Sequence, residues 1–222
     1  MKIVFTPKAK FKNINMTNTL WVFGCSFSTG FRGHVKPYEE QYTFPNIIAN
    51  KLGMNINNSA HAGQCNWVNI LHFIDKRDEI KEGDIVIFEF TFFDRYNIYP
   101  TRAQLGDLED FFIKHKSNMD DVNQMYRDIN FNWFQKQVQK VCREKNVKLY
   151  CWSAEGETHT DFERYHKIQE FIPSPTEGSF SFYDMWQNNI VEQHAAEDDR
   201  HFNELGHKRM AEHIYYHIIQ NQ

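Results

Sequence analysis

The sequence predicts an α/β protein built around a doubly wound parallel sheet with helices on both faces. Three observations point there. Short apolar runs bounded by turn residues alternate with stretches of helical periodicity along the 222 residues. One run, within EGDIVIFEFT, is almost unbroken in its apolarity, as a strand covered on both faces is. Two connections, Phe92 to Asp121 and Ala154 to about Trp186, are too long for plain turns, and each follows a predicted strand. Both therefore leave from the carboxyl edge of the sheet, where open α/β sheets bind their ligands.

The elements follow in order. TLWVFG, Thr19 to Gly24, is a short apolar run stopped by small and polar residues, which suits a buried strand. In FPNIIANKLG the residues Phe44, Ile47, Ile48 and Leu52 fall at helical spacing, and Gly53 is placed to stop the helix. MNINNSA is a weak second strand. NWVNILHFIDKRDEI is helical, with an imperfect apolar face of Val68, Leu71, Phe73 and Ile74. EGDIVIFEFT opens with a Gly-Asp turn and supplies the third strand. From Asn123 to Asn146 the residues Met125, Ile129, Phe134, Val138, Val141 and Cys142 mark a long amphipathic helix. VKLYCWS is a fourth strand. The closing ELGHKRMAEHIYYHIIQ places Ala211, Ile214, Tyr215, Ile218 and Ile219 on one helical stripe.

Composition narrows the function. The chain has the length of one domain, spanning 1–222 with insertions near 92–121 and 154–186, and its 20 Phe, 10 Tyr and 5 Trp furnish a core. A formal charge of -4 shows no basic excess, which argues against nucleic acid as a partner. No stretch reaches the roughly 18 apolar residues of a membrane span, and the first residues lack a secretory apolar core. A cytoplasmic protein is expected, with no membrane partner. The four cysteines, Cys25, Cys65, Cys142 and Cys151, form no CxxC pair and suit a reduced compartment.

Two short segments hold reactive groups. In WVFGCSFSTG, Ser26 stands just past the first strand, a placement that suits a nucleophile but equally a helix cap or a phosphate cradle. In AAEDDRHFNELGHKRMAEHI, Asp198 and His201 are three residues apart, so one turn can join carboxylate and imidazole. An Asp holding one ring nitrogen leaves the other free to take a hydroxyl proton. The plainer reading makes Asp198 and Asp199 a turn cap and His201 an exposed polar residue.

Together, GCS after the first strand, NNSAHAG after the second and DDRHFNELGHKRMAEHI at the end resemble the three corresponding blocks of the SGNH (GDSL-type) hydrolase superfamily. The resemblance runs in order from about Thr19 to Ile219. It implies a three-layer α/β/α sandwich, flavodoxin-like, with a serine esterase site at the carboxyl edge. It makes Ser26 the nucleophile, His201 the general base and Asp198 its orienting acid. The backbone N–H groups of Ser26 and Gly63 fall at the oxyanion hole, and Asn58 matches the second block's asparagine. The implied activity is that of an esterase or carbohydrate O-deacetylase working through an acyl-serine, on a small-molecule or carbohydrate ester, with no cofactor and no metal.

The third block departs from the pattern. Where the family has Gly-x-Asn-Asp, this chain has TFFD, with Thr91 for the glycine, Phe93 for the oxyanion asparagine and Asp94 retained. A phenyl ring donates no hydrogen bond, and one lost oxyanion donor typically costs about 2.7–4 kcal/mol of transition-state stabilisation. Arg95 and Asn66 are the candidate replacements. The same substitution supports a rival reading, a binding or structural protein that retains the fold without the chemistry. A phosphate binder using SFSTG is a third reading, which leaves Asp198 and His201 unexplained.

Other residues weigh less. Cys25 is a possible thiol nucleophile, though its side chain is expected on the opposite face as packing; Cys65 is expected as filler. His207, His213 and His217 are expected at the surface of the last helix. Phe92, Phe93, Tyr96, Tyr99, Phe111 and Phe112 belong to a pocket wall or to the small core of a lid. Glu89, inside an apolar strand, suggests a buried hydrogen bond and nothing more specific.

Overall fold

The computed structural model describes residues 18–30, 39–91, 128–153, 168–172 and 201–221. The two expected insertions lie outside the described residues, apart from 168–172. Four strands form one parallel sheet: β1 (Thr19–Phe23), β2 (Asn55–Asn58), β3 (Ile85–Phe90) and β4 (Lys148–Ser153). Their order is β2-β1-β3-β4. Chain order reverses direction between β1 and β3, so the crevice favoured for ligands in open α/β sheets opens at the ends of those two strands.

The alternation of side chains on each strand sorts the core into two layers. Leu20, Val22, Ile85, Ile87, Tyr150 and Trp152 face one side. There they meet α2 (Phe44–Leu52) through Phe44, Ile48 and Leu52, and α5 (Glu204–Gln220) through Met210, Ile214 and Ile218. Trp21, Phe23, Val86, Phe88 and Phe90 face the other, against Ile70 and Phe73 of α3 (Asn66–Lys76) and against Phe134, Val138 and Cys142 of α4 (residues 128–144). The result is the expected three-layer α/β/α sandwich. None of the described helices is long and apolar enough to cross a membrane.

Helix ends follow local chemistry. Pro45 sits in the first turn of α2, where its missing N–H is no loss, and Gly53 closes the helix at φ 65°, a left-handed conformation that glycine adopts freely. Asn203 caps α5, its side-chain oxygen accepting from the Gly206 N–H at 2.9 Å.

α4 departs from the expected regular helix. Helical residues 128–133 lead into a π segment, Phe134–Gln139, and then into Lys140–Glu144. Gln139 aside, the buried side chains here, Asn130, Phe134, Val138 and Cys142, recur at a spacing of four. In an α-helix each such step drifts by about 40° off the face. The wider i→i+5 turn removes drift and keeps the three apolar side chains against the sheet. Ile129, expected on that face, is 42% exposed, as is Leu71 of α3.

At the opposite end of the sheet from the crevice, one buried carboxylate ties the strand starts together. Asp84 accepts from the Thr19 N–H at 2.8 Å, the Trp21 indole N–H at 2.9 Å and the Lys81 N–H at 3.0 Å. Asp84→Ala strands two or three donors at once. The expected loss is about 3 kcal/mol, read as a lower urea midpoint at unchanged slope, with Asp84→Asn costing less.

Candidate active site

The Ser26 segment begins where β1 ends. Cys25 is extended (φ -114°, ψ -152°) and leads into α1 (Ser26–Thr29), a single helical turn closed by Gly30 at φ 75°. The Ser28 N–H returns to the Cys25 carbonyl at 3.1 Å, and the Thr29 hydroxyl donates to the Ser26 carbonyl at 2.9 Å. Asn58, at the end of β2, braces the turn from outside: its amide donates to the Ser28 carbonyl at 2.9 Å while its oxygen accepts from the Ala60 N–H. Ser26 is buried on this short, closely tied turn.

His201 reaches it from 175 residues away, its Nε2 standing 2.8 Å from the Ser26 Oγ. Packing sets the ring. Phe27 lies against the imidazole with centroids 5.1 Å apart, and the same phenyl meets Phe202 edge-on at 5.3 Å. Phe202 is buried in the layer beneath α2 and α5, and Asn203 caps α5. His201 is thus the residue before an anchored phenylalanine and a capped helix. The spacing is that of a hydrogen bond, in which the hydroxyl donates when Nδ1 carries the ring proton and accepts when Nε2 does.

The remaining predicted residues divide clearly. Asp198 and Arg95 lie outside the described residues, as do Phe92, Phe93, Asp94, Tyr96, Tyr99, Phe111 and Phe112. Gly63 sits in the exposed loop between β2 and α3 at φ 77°. Asn66 opens α3, buried, with its amide turned to the end of β3: Nδ2 donates to the Thr91 carbonyl at 3.1 Å and Oδ1 accepts from the Thr91 N–H at 2.8 Å. This two-point clasp holds both backbone groups of Thr91, which stands where the family has glycine.

Cys25 does not pack as apolar filler. Its Sγ donates to Glu89 at 2.6 Å. Burial, with the Glu89 carboxylate adding to it, pushes the thiol up to about 12, so it stays protonated at neutral pH and is no thiolate nucleophile. Cys65 is buried at the start of α3. His207 is a correction: expected at the surface, it is buried between Phe44 and Phe202, with Nδ1 accepting from the Phe44 N–H at 3.3 Å. Burial, with His201 adding to it, brings its pKa down to about 3.

Glu89 is the residue whose part sequence reasoning missed. It is fully buried near the end of β3, in contact with the turn that carries Ser26. The signal was present in an acidic residue within an otherwise apolar strand. One step past the Phe23–Phe88 pair, Gly24 lies opposite Glu89. A Cβ on Gly24 would run into the Glu89 Oε2 and stand 2.8 Å from the Ser28 Oγ, so the residue that follows β1 has to be glycine.

No protein-family model and no curated protein sequence matches this chain. Solved structures do. A protein assigned to the G-D-S-L lipolytic family, from Desulfitobacterium hafniense DCB-2, superposes with a TM-score of 0.55 at 11% identity, over 90% of this chain and 99% of that one. TesA does so at 0.57 and 12% identity, over 89% and 96%. A carbohydrate esterase whose active site displays divergent catalytic and non-catalytic binding functions matches at 0.53 and 8% identity, over 91% and 68%. At these identities the likeness is one of fold: the chain has the three-layer fold of the GDSL/SGNH hydrolases.

Proposed function

We propose that this chain is a serine hydrolase of the SGNH type, cleaving a carboxylic ester through an acyl-Ser26 intermediate. The observation that carries the reading is the 2.8 Å approach of His201 Nε2 to Ser26 Oγ at the carboxyl edge of the sheet. As the hydroxyl attacks the acyl carbonyl, Nε2 takes its proton, and the imidazolium returns that proton to the leaving alcohol. Water, deprotonated by the same nitrogen, then releases the acid. Asp198 is assigned to Nδ1–H, and the N–H groups of Ser26 and Gly63 to the developing oxyanion. Arg95 is the remaining candidate for the donor that Phe93 lacks, since the Asn66 amide already serves Thr91. An acyl group on a small alcohol or a carbohydrate hydroxyl is the substrate class.

A second reading, a binding protein on the same fold, is favoured by one feature alone, Phe93 in place of the oxyanion asparagine. Labelling separates the two. A fluorophosphonate is expected to modify the wild-type protein at Ser26, located by peptide mapping, and to leave His201→Ala unmodified. Absence of any serine adduct in the folded wild-type protein would establish the binding reading instead.

A further inference from the structure

We propose that Glu89 is the positioning residue of the nucleophile turn: its buried carboxylate ties down the residues on both sides of Ser26 and so aims the Ser26 hydroxyl at His201. The kinetic consequence rests on the hydrolase reading above; the geometric content does not.

Among the described residues, three donors converge on this one side chain. Oε2 accepts from the Cys25 backbone N–H at 3.0 Å and from the Ser28 hydroxyl at 2.5 Å. Oε1 accepts from the Cys25 thiol at 2.6 Å. A carboxylate is an acceptor on both oxygens and needs no proton of its own in such a set.

The consequence lies in which torsions become immobile. Holding both N–H and Sγ of Cys25 sets the plane of its incoming peptide and its side-chain rotamer. Holding the Ser28 side chain sets the far end of α1. Ser26 sits between these anchors, on a helical turn too short to be rigid by its own hydrogen bonds. Asn58 grips the Ser28 carbonyl from the other side, so Glu89 supplies the inner half of the clamp. The site at Gly24 is shaped for this contact, since the carboxylate occupies the space that any side chain there would fill.

A reacting hydroxyl displaced by about 1 Å loses on the order of 100-fold in rate without losing its substrate. Glu89→Gln keeps the volume and one acceptor but puts an amide N–H₂ against a donor. For a short-chain aryl ester the expected result is a kcat reduced by about 10- to 100-fold with KM within about twofold, and fluorophosphonate labelling slowed in the same ratio. Cys25→Ser, which retains a donor to Oε1, is expected to keep kcat within about threefold, whereas Cys25→Ala is expected to lower it further. Ser28→Ala removes one anchor and leaves the carboxylate in place, which keeps the test open if Glu89→Gln does not fold; its kcat is expected to fall by about 3- to 10-fold. A kcat unchanged in Glu89→Gln or, failing that variant, in Ser28→Ala overturns the proposal, as does a rise in KM alone.

Should the wild-type protein show neither turnover nor labelling, the hydrolase reading fails by itself and the positioning is read from the His201 ring resonances. Ser26→Ala defines their shift when the 2.8 Å contact is lost. Glu89→Gln is expected to move them at least half as far in the same direction; resonances identical to wild type overturn the inference.

Discussion

Ser26→Ala is expected to lower hydrolysis of a short-chain aryl ester by on the order of 10⁵-fold and to leave the unfolding midpoint almost where it was. The two effects separate because the hydroxyl does little for the fold. Its neighbours are the His201 ring and, at 3.8 Å, the Cys25 sulfur, while the backbone bonds of the turn survive in alanine. In the proposed mechanism the oxygen is the attacking atom, and nothing described nearby replaces it: the adjacent thiol is kept protonated by burial and by Glu89. His201→Ala is expected to cost a similar factor. Since Oγ and Nε2 act as one unit, the double variant should be no slower than either single one. Losses that multiply, or full activity in either variant, would remove Ser26 and His201 from the mechanism together.

Acid should weaken the fold through His207, and the sign can be worked out. The buried ring has its pKa brought down to about 3, whereas an unfolded histidine titrates near 6.5. Between those values the unfolded chain binds a proton that the folded chain refuses, so stability rises with pH across the window. Going down, the loss starts below about pH 6.5, accumulates at up to about 1.4 kcal/mol per pH unit and stops near pH 3. Burial is the main reason that a protonated ring does not fit, and the Phe44 N–H already donating to Nδ1 leaves no place for a proton on that nitrogen. In urea titrations at pH 7 and pH 5, His207→Gln is expected to lose markedly less stability between the two than wild type does. Equal losses would mean that the ring protonates in the folded state.

The opening turn shows how far reading residues can go. Apolar runs located the described strands β1, β3 and β4 to within a residue or two, because burial in the sheet writes itself directly into the sequence, whereas β2, NINN and largely unburied, gave only a weak signal. Ser26 and His201 could be singled out by position, one after a strand and one before a capped helix. Gly24, however, carries no local mark of its purpose. It is glycine because of Glu89, which lies 64 residues beyond Cys25 and shares no pattern with it. The π segment in α4 was equally silent, since a spacing of four is tolerated by an α-helix too.

His207 and Asn66 teach the same point from the polar side. Both residue types are ordinarily exposed, and nothing beside them in the chain announces burial. His207 lies in the core because Phe44 and Phe202 close over it, and Asn66 because the end of β3 offers it both a donor and an acceptor.

The order of residues alone therefore determined the layers: which segments are strands, which faces are apolar, and that the connections leave from one edge of a parallel sheet. Those properties depend on near neighbours and on a period of two or about four. Only the folded chain decided that a hydroxyl and an imidazole 175 residues apart meet at 2.8 Å, and that a buried carboxylate from a third segment holds the turn between them. Hydrogen bonds of that kind depend on distances in space between elements whose packing sets the geometry, and no spacing along the chain encodes them.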